Sequence, residues 1–354
     1  MIAELLLPFF IAGFFALVIT PFVIRIAKRF KLIDDPKTHK HPAILHKKPI
    51  PRAGGLALFL SIVLGSIFFL PLNSTFLPIF FAGLIVVLVG VLDDKYDISP
   101  YLRFFINIFC AGIVVFSGTS IPYVTNPLGG ILHVNNIFFS FANFSFSLPV
   151  AQIFAVIWIV WVMNMLNWSK GVDGQMPGIV AISALVIGIS SLRFPVLTQE
   201  NIYTSQLSFI VAGASFGFLF YNFYPAKIFP GYSATILGFL IGTLSILSGV
   251  KLATAILVMG VPTADAIFTI TRRILSKKSP FWHDKGHLHH LLLDIGFGQR
   301  SIAVFYWAMS FLLGVFALNL SSKGKLFAII LVLVVVSGII VTLRFLAKKG
   351  NVRD

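Results

Sequence analysis

Long apolar blocks alternate with short polar segments over nearly the whole chain. Eleven blocks stand out, at about 5–24, 54–71, 76–92, 102–118, 149–167, 177–193, 205–221, 232–249, 252–270, 301–319 and 326–346. A helix of about 20 apolar residues spans the hydrocarbon core of a bilayer. Lipid offers no partner to a free backbone amide, so such blocks cross as helices. The pattern predicts an all-α polytopic membrane protein with about eleven transmembrane helices, forming a single integral membrane domain over residues 1–354. No internal repeat and no separate soluble domain is visible. The first block carries Glu4 and no early Lys or Arg, so it reads as a retained span rather than a cleaved signal.

The polar segments between blocks differ sharply in charge. One alternate set (25–53, 93–103, 168–176, 222–231, 271–300 and the tail from Arg344) holds nearly all the cations. The other set holds only Arg193, Lys251, Lys323 and Lys325 of the 27 Lys and Arg. The positive-inside rule makes the first set cytoplasmic, with the N-terminus outside and the C-terminus inside. The outer segment 119–148 has no charged residue and mixes Gly, Asn, Pro and Phe, as a short β-hairpin or lid would; His133 stands alone in it.

Composition agrees: 58% of residues are hydrophobic and 11% charged, against about 25% charged in a soluble domain. Mean hydropathy is +0.96. The net charge of +15 follows topology, because the basic residues flank the blocks, and it argues against nucleic acid as a partner. It would attract anionic lipid heads and phosphorylated substrates. The single cysteine, Cys110, excludes a disulfide framework and a thiolate zinc site, and reads as a small buried hydrophobe. Most of the 38 phenylalanines read as lipid-facing, with a groove for a long isoprenoid tail as a further use.

The candidate chemistry collects on the cytoplasmic segments. Asp93-Asp94 ends the third block, with Asp97 beyond as a cap or loop residue. Adjacent carboxylates repel, so they need a cation or shifted pKa values. Mg²⁺ prefers such oxygens and commonly takes one or two protein carboxylates. Asn164-x-x-Asn167 leads into Trp168-Ser169-Lys170-Gly171-Val172-Asp173-Gly174, where two glycines let backbone approach a ligand closely. Asp265 follows Pro262 within the ninth block, and a charge at that depth requires a partner. Asp284-Lys285-Gly286-His287-Leu288-His289-His290 suits a diphosphate, with zinc the other reading. His39, His41, His46, Lys47, Lys48 and Arg52 precede Gly54-Gly55, a basic approach suited to a phosphate-bearing lipid head.

Taken in order, these pieces resemble the polyprenyl-phosphate N-acetylhexosamine-1-phosphate transferases (glycosyltransferase family 4). The resemblance runs from about Asp34 to Gly296. It rests on His46-x-x-Pro49-Ile50-Pro51-Arg52-x-Gly54-Gly55, Gly90-x-x-Asp93-Asp94, Asn164-x-x-Asn167 with Gly171-x-Asp173-Gly174, Asn222 with Pro225-Ala226-Lys227-Ile228-Phe229, Pro262-x-x-Asp265, and Asp284-x-x-His287-Leu288-His289-His290. The Pro-Arg-x-Gly-Gly and His-Leu-His-His wording looks like the undecaprenyl-phosphate N-acetylglucosaminyl branch rather than the phospho-N-acetylmuramoyl-pentapeptide branch.

The resemblance implies a cytoplasmic active site in the inner (plasma) membrane and transfer of N-acetylhexosamine-1-phosphate from a UDP-sugar to polyprenyl (undecaprenyl) phosphate, with release of UMP. It implies Mg²⁺, with Mn²⁺ as a substitute, on Asp93, Asp94 and Asp265, which are also the catalytic residues. It implies substrate contacts from His46, Arg52, Asn167, Asp173, Asn222, Lys227, Lys285, His287, His289 and His290. It allows a homodimer without requiring one. Two departures stand out: Lys170 where the family commonly has Asp, and Gly231-Tyr232-Ser233-Ala234-Thr235 where it commonly has Gly-Asp-x-Gly-Ser. The rival readings are a phospho-N-acetylmuramoyl-pentapeptide transferase of peptidoglycan synthesis, a lipid-linked sugar flippase or transporter, a homologue that only binds the lipid carrier, and a scaffold of an envelope-polymer complex.

Overall fold

The computed structural model describes residues 2–37, 45–125, 130–135, 137–140, 147–249, 252–280, 282 and 284–350. His39 and His41 lie outside them. Thirteen helices carry the described chain: α1 Ile2–Arg29, α2 Gly54–Ile67, α3 Phe76–Tyr96, α4 Pro100–Phe116, α5 Val150–Trp168, α6 Gln175–Ser191, α7 Gln199–Asn222, α8 Thr235–Leu247, α9 Leu252–Val258, α10 Gly260–Leu275, α11 Leu288–Asp294, α12 Gln299–Asn319 and α13 Ser322–Gly350. Each of the eleven apolar blocks falls on a helix or, for the ninth, on the α9–α10 pair.

Length separates these helices. Six of them (α1, α3, α5, α7, α12 and α13) are long and apolar enough to cross a membrane, and α9–α10, bent by 86°, makes a seventh if taken as one span. The helices α2, α4, α6 and α8 are apolar but only 13 to 17 residues long. At about 1.5 Å per residue, the shortest extends roughly 20 Å, less than a bilayer core. The chain is therefore a multi-pass helical membrane protein, and the expected number of eleven crossing helices is not established by length. Helix α7 is the hub, packed against both α1 and α6. It starts at a capping box in which Thr198 accepts from the Asn201 amide and the Asn201 side chain answers the Thr198 amide. Cys110 is fully buried.

Three two-stranded antiparallel ribbons complete the fold. Strands β1 (Ile33–Asp34) and β2 (Ile50–Pro51) pair beside the entry to α2. Strands β3 (Tyr123–Thr125) and β4 (Ile131–His133) pair, as do β5 (Phe138–Ser140) and β6 (Ser147–Pro149). The uncharged segment expected to form a hairpin thus forms two, and His133 sits at the end of one, paired with Tyr123.

Candidate active site

The cytoplasmic-side segments predicted from sequence meet around the segment 223–234, which joins α7 to α8. The Gly54 and Gly55 amides donate to Phe229 O and Pro230 O at 3.1 and 3.0 Å. The Phe229 amide donates to Pro51 O at 2.8 Å. Asn222 is buried and its side chain is used on both sides: Nδ2 donates to Ile228 O at 2.9 Å, and Oδ1 accepts from the Gly174 amide at 3.1 Å. Asp173 accepts from the Ala226 amide at 2.9 Å, and burial raises its carboxyl pKa against that bond. Asn222 and Asp173 therefore act here as buckles between two loops. His46 lies 3.3 Å from Asp34 O and meets the Phe229 ring edge-on. Lys227 is exposed and lies over the Tyr221 ring.

Asp93 and Asp94 form the first acidic pole, both buried at the last turn of α3. Both oxygens of Asp93 accept from Arg103 Nη1, at 3.1 and 3.0 Å, and Oδ1 also accepts from the Ile98 amide. Asp97 closes the helix as its C-cap in the left-handed region, φ 50°. Asp94 Oδ1 accepts from the Tyr232 amide at 2.7 Å, and Oδ2 from the Ser233 hydroxyl at 2.9 Å. Gly231, at φ 69°, is required for this approach, because a Cβ there would run into the Asp94 carboxylate. Lys170 Nζ donates to Gly231 O at 3.0 Å. Burial pulls its ammonium down to about 8, against the opposing attraction of Asp94. Arg52 donates to Asp34 Oδ2 at 2.8 Å, and its charge also acts on Asp94 and Lys170.

Asp265 forms the second pole. It is buried on α10, with Oδ2 at 2.9 Å from His287 Nδ1 and Oδ1 accepting from the Leu288 amide at 2.9 Å. This pins the His-rich segment at the start of α11. The His287 and His289 rings stack, and His290 tilts onto His289. Burial holds His289 well below the usual histidine range and brings His290 down to about 4, so both imidazoles are neutral near pH 7. Gly171 joins the poles, since a Cβ there would strike the His289 ring. Behind them, Arg272 and Arg273 pair with Asp284 at 2.5 and 3.5 Å, and Arg344 of α13 donates to Gly286 O at 2.8 Å. Burial alone would raise the Asp284 carboxyl; bonds from Arg272, the Gly286 amide and Arg273 hold it down to about 2. Lys285 is exposed.

A hard divalent cation fits part of this donor set. Asn167 Oδ1 is buried without a partner. Its neighbours in sequence touch the second pole: Met165 meets Thr263, and Trp168 lies against His287. Among the described residues no three His, Cys, Asp or Glu lie close enough to hold a metal. A closed zinc site needs four such ligands, whereas a hard cation such as Mg²⁺ would need only one or two protein oxygens, with phosphates and water supplying the rest.

Sequence reading missed Arg103, Tyr232 as an amide donor to Asp94, and the Arg272–Arg273–Arg344 group. Arg103 carried a signal, as a cation just inside an apolar block. The Tyr232 amide carried none, since a backbone donor is invisible in sequence.

The chain is also similar to known proteins. A family model described as "Glycosyl transferase family 4" matches residues 76–249. The chain is 32% identical over 328 residues to "Probable undecaprenyl-phosphate N-acetylglucosaminyl 1-phosphate transferase" of Bacillus subtilis (strain 168), covering 90% of this chain and 86% of that protein. It is 30% identical over 345 residues to "Decaprenyl-phosphate N-acetylglucosaminephosphotransferase" of Mycobacterium tuberculosis (strain CDC 1551 / Oshkosh), covering 87% and 81%. It is 27% identical over 298 residues to "Undecaprenyl-phosphate alpha-N-acetylglucosaminyl 1-phosphate transferase" of Escherichia coli (strain K12), covering 80% and 75%.

Proposed function

The chain belongs to glycosyl transferase family 4, and from that membership we propose that it is a membrane glycosyl phosphotransferase that moves N-acetylhexosamine-1-phosphate from a UDP-sugar to a polyprenyl phosphate and releases UMP. An oxygen of the acceptor phosphate attacks the sugar-bearing phosphorus. The bond from that phosphorus to the bridging oxygen breaks, and UMP leaves with the electron pair. The acceptor has a second pKa of about 6, so it arrives largely ionised and needs little help from a base. The protein's task is alignment and charge neutralisation.

The observation that carries this reading is the juxtaposition, through the loop 169–174, of two acidic poles with fixed cations and neutral imidazoles. His289 and His290 would donate hydrogen bonds to diphosphate oxygens, with His287 oriented by Asp265. Lys285, exposed beside them, would add charge. Arg52 and Arg103 would face the acceptor phosphate from the first pole. Asp173 and Asn222 would keep the two loops in register, with His46 beside them. Mg²⁺ (or Mn²⁺), held by Asp265 and the partner-free Asn167 oxygen, would neutralise charge on the diphosphate. The cation distribution supports a cytoplasmic site in the plasma membrane, with the N-terminus outside.

The test is UMP release by the purified chain with a short-chain prenyl phosphate and a panel of UDP-sugars, with and without Mg²⁺. Release with at least one UDP-N-acetyl sugar, abolished by chelator, is expected. Movement of a lipid-linked sugar across vesicles without any UMP release would replace this reading with the transporter.

A further inference from the structure

Two departures from the family's wording, Lys170 and Tyr232, lie far apart in sequence and touch in space. Lys170 Nζ donates to Gly231 O at 3.0 Å and stands 5.7 Å from the centre of the Tyr232 ring. The Arg103 guanidinium covers the same ring at 4.8 Å. The Tyr232 hydroxyl accepts from Asn107 Nδ2 at 3.2 Å, which fixes the ring. The amide of Tyr232 goes to Asp94. Lys170 and Asp94 thus grip the same Gly231–Tyr232 step, one by its carbonyl and one by its amide.

Three buried carboxyl groups lie at this pole, Asp34, Asp93 and Asp94, with the exposed Asp97 acting on Asp93 from the rim. Arg52 pairs with Asp34, Arg103 pairs with Asp93, and Lys170 is the cation left for Asp94. Every oxygen of Asp93 and Asp94 already accepts a hydrogen bond from the protein. A divalent ion entering here would meet three resident cations and displace amide donors, a double cost in a partly buried site. Both Asp265 oxygens are engaged as well, by His287 and by the Leu288 amide; what differs is charge, because no Lys or Arg pairs with Asp265 among the described residues and its ion-pair partner is a histidine.

We propose that the Lys170 ammonium is a built-in replacement for a divalent cation at the Asp93–Asp94 pair, leaving the exchangeable metal to the Asp265 pole alone. This rests on the proposed reaction only in taking Mg²⁺ as the metal. It revises the expectation that Asp93 and Asp94 share in metal binding. Lys170 is then a positioning residue: through Asp94 it holds the Gly231–Tyr232 step in place and fixes the charge beside the acceptor phosphate.

The test counts metal ions on the purified full chain by Mn²⁺ electron paramagnetic resonance, with no substrate present. The wild type is expected to bind about one Mn²⁺, Asp265→Asn none, and Asp93→Asn still one. Lys170→Gln should gain a second, weaker site, and Lys170→Arg should not. UMP release by Lys170→Gln should recover toward wild type as Mg²⁺ is raised about tenfold, an effect that a structural lesion would not show. A wild-type measurement stands apart from any variant's folding: Fe²⁺ placed in the metal site, with peroxide, should cleave the backbone near Asp265 and His287 and spare Asp93–Asp94. Cleavage at Asp93–Asp94, a lower Mn²⁺ count in Asp93→Asn, or no gained site in folded Lys170→Gln would overturn the proposal. A wild type that releases UMP yet binds no Mn²⁺ would instead sink the Mg²⁺ assignment, while the Lys170→Gln difference would still be readable.

Discussion

The two acidic poles are built by opposite means. At Asp93–Asp94 the neutralising groups are Arg103 and Lys170, cations drawn from α4 and the loop 169–174, and Asp94 is covered by the Tyr232 amide and the Ser233 hydroxyl. At Asp265 the partner is His287, a group that is charged only if protonated, and the nearby Asn167 oxygen is left without a donor. A pole closed by fixed charges is suited to holding shape. A pole closed by an imidazole can admit a cation and give it up. The same residue type is closed by Arg and Lys in one place and by an imidazole in the other.

Asp265→Asn attacks the reactive pole directly. UMP release should fall about 10²–10³-fold, the scale of removing a preorganised charge-stabilising group, with the folded fraction in detergent unchanged. Equal loss in a variant of any exposed loop aspartate would erase the distinction. Asp94→Asn attacks the architectural pole, and leaves the Lys170 ammonium without its counter-charge. Stability should drop by about 3 kcal/mol, the scale for breaking a buried pair, visible as a lower thermal midpoint. A midpoint equal to wild type would show that the pole is not structural. Gly171→Ala tests the joint between the poles: its methyl group would displace His289, and turnover should fall roughly tenfold, as for a small misplacement in an active site, with little change in stability.

Asp284 offers a pH test behind the reactive pole. Its carboxyl is held at about 2, below the ordinary 3.8. A depressed carboxylate stabilises the fold above its unfolded value, and that contribution is lost as pH falls from about 4 toward 2. Unfolding followed from pH 5 to pH 2 should show this loss in the wild type and a flatter profile in Asp284→Asn. The smallest effect is expected at Lys227, which belongs to neither pole. Lys227→Ala should change turnover by less than about twofold, as for most exposed side chains away from special features. A larger loss would return it to the substrate contacts.

Much of this was legible in the sequence. Each apolar block lies on a helix or, for the ninth, on the α9–α10 pair, because a lipid-exposed helix must advertise itself in composition. The blocks could not show which helices are too short to cross, since a buried apolar end looks the same as a lipid-facing one. Asp265 was visible as a carboxylate within an apolar block, Asp93 and Asp94 as a pair at the end of one, and His287 as part of a loop motif. Their division into two poles was not, because it depends on Arg103, ten residues from Asp93, and on amides at Tyr232 and Leu288 that have no side-chain signature. That Asn222 and Asp173 tie two loops together was also not visible, because a buckle and a binding group use the same side chains.

The segment 223–234 carries one more implication, for how the protein is made. Synthesis proceeds from the N-terminus, and early portions settle before later ones exist. When α3 leaves the ribosome, the Tyr232 and Ser233 amides that will receive Asp94 are still more than a hundred codons away. The nascent third helix must therefore wait with its terminal acids in water at the membrane rim. The half of the bundle around this segment locks only when the segment arrives, so a chain truncated after α7 would have its helices in lipid and its centre unassembled.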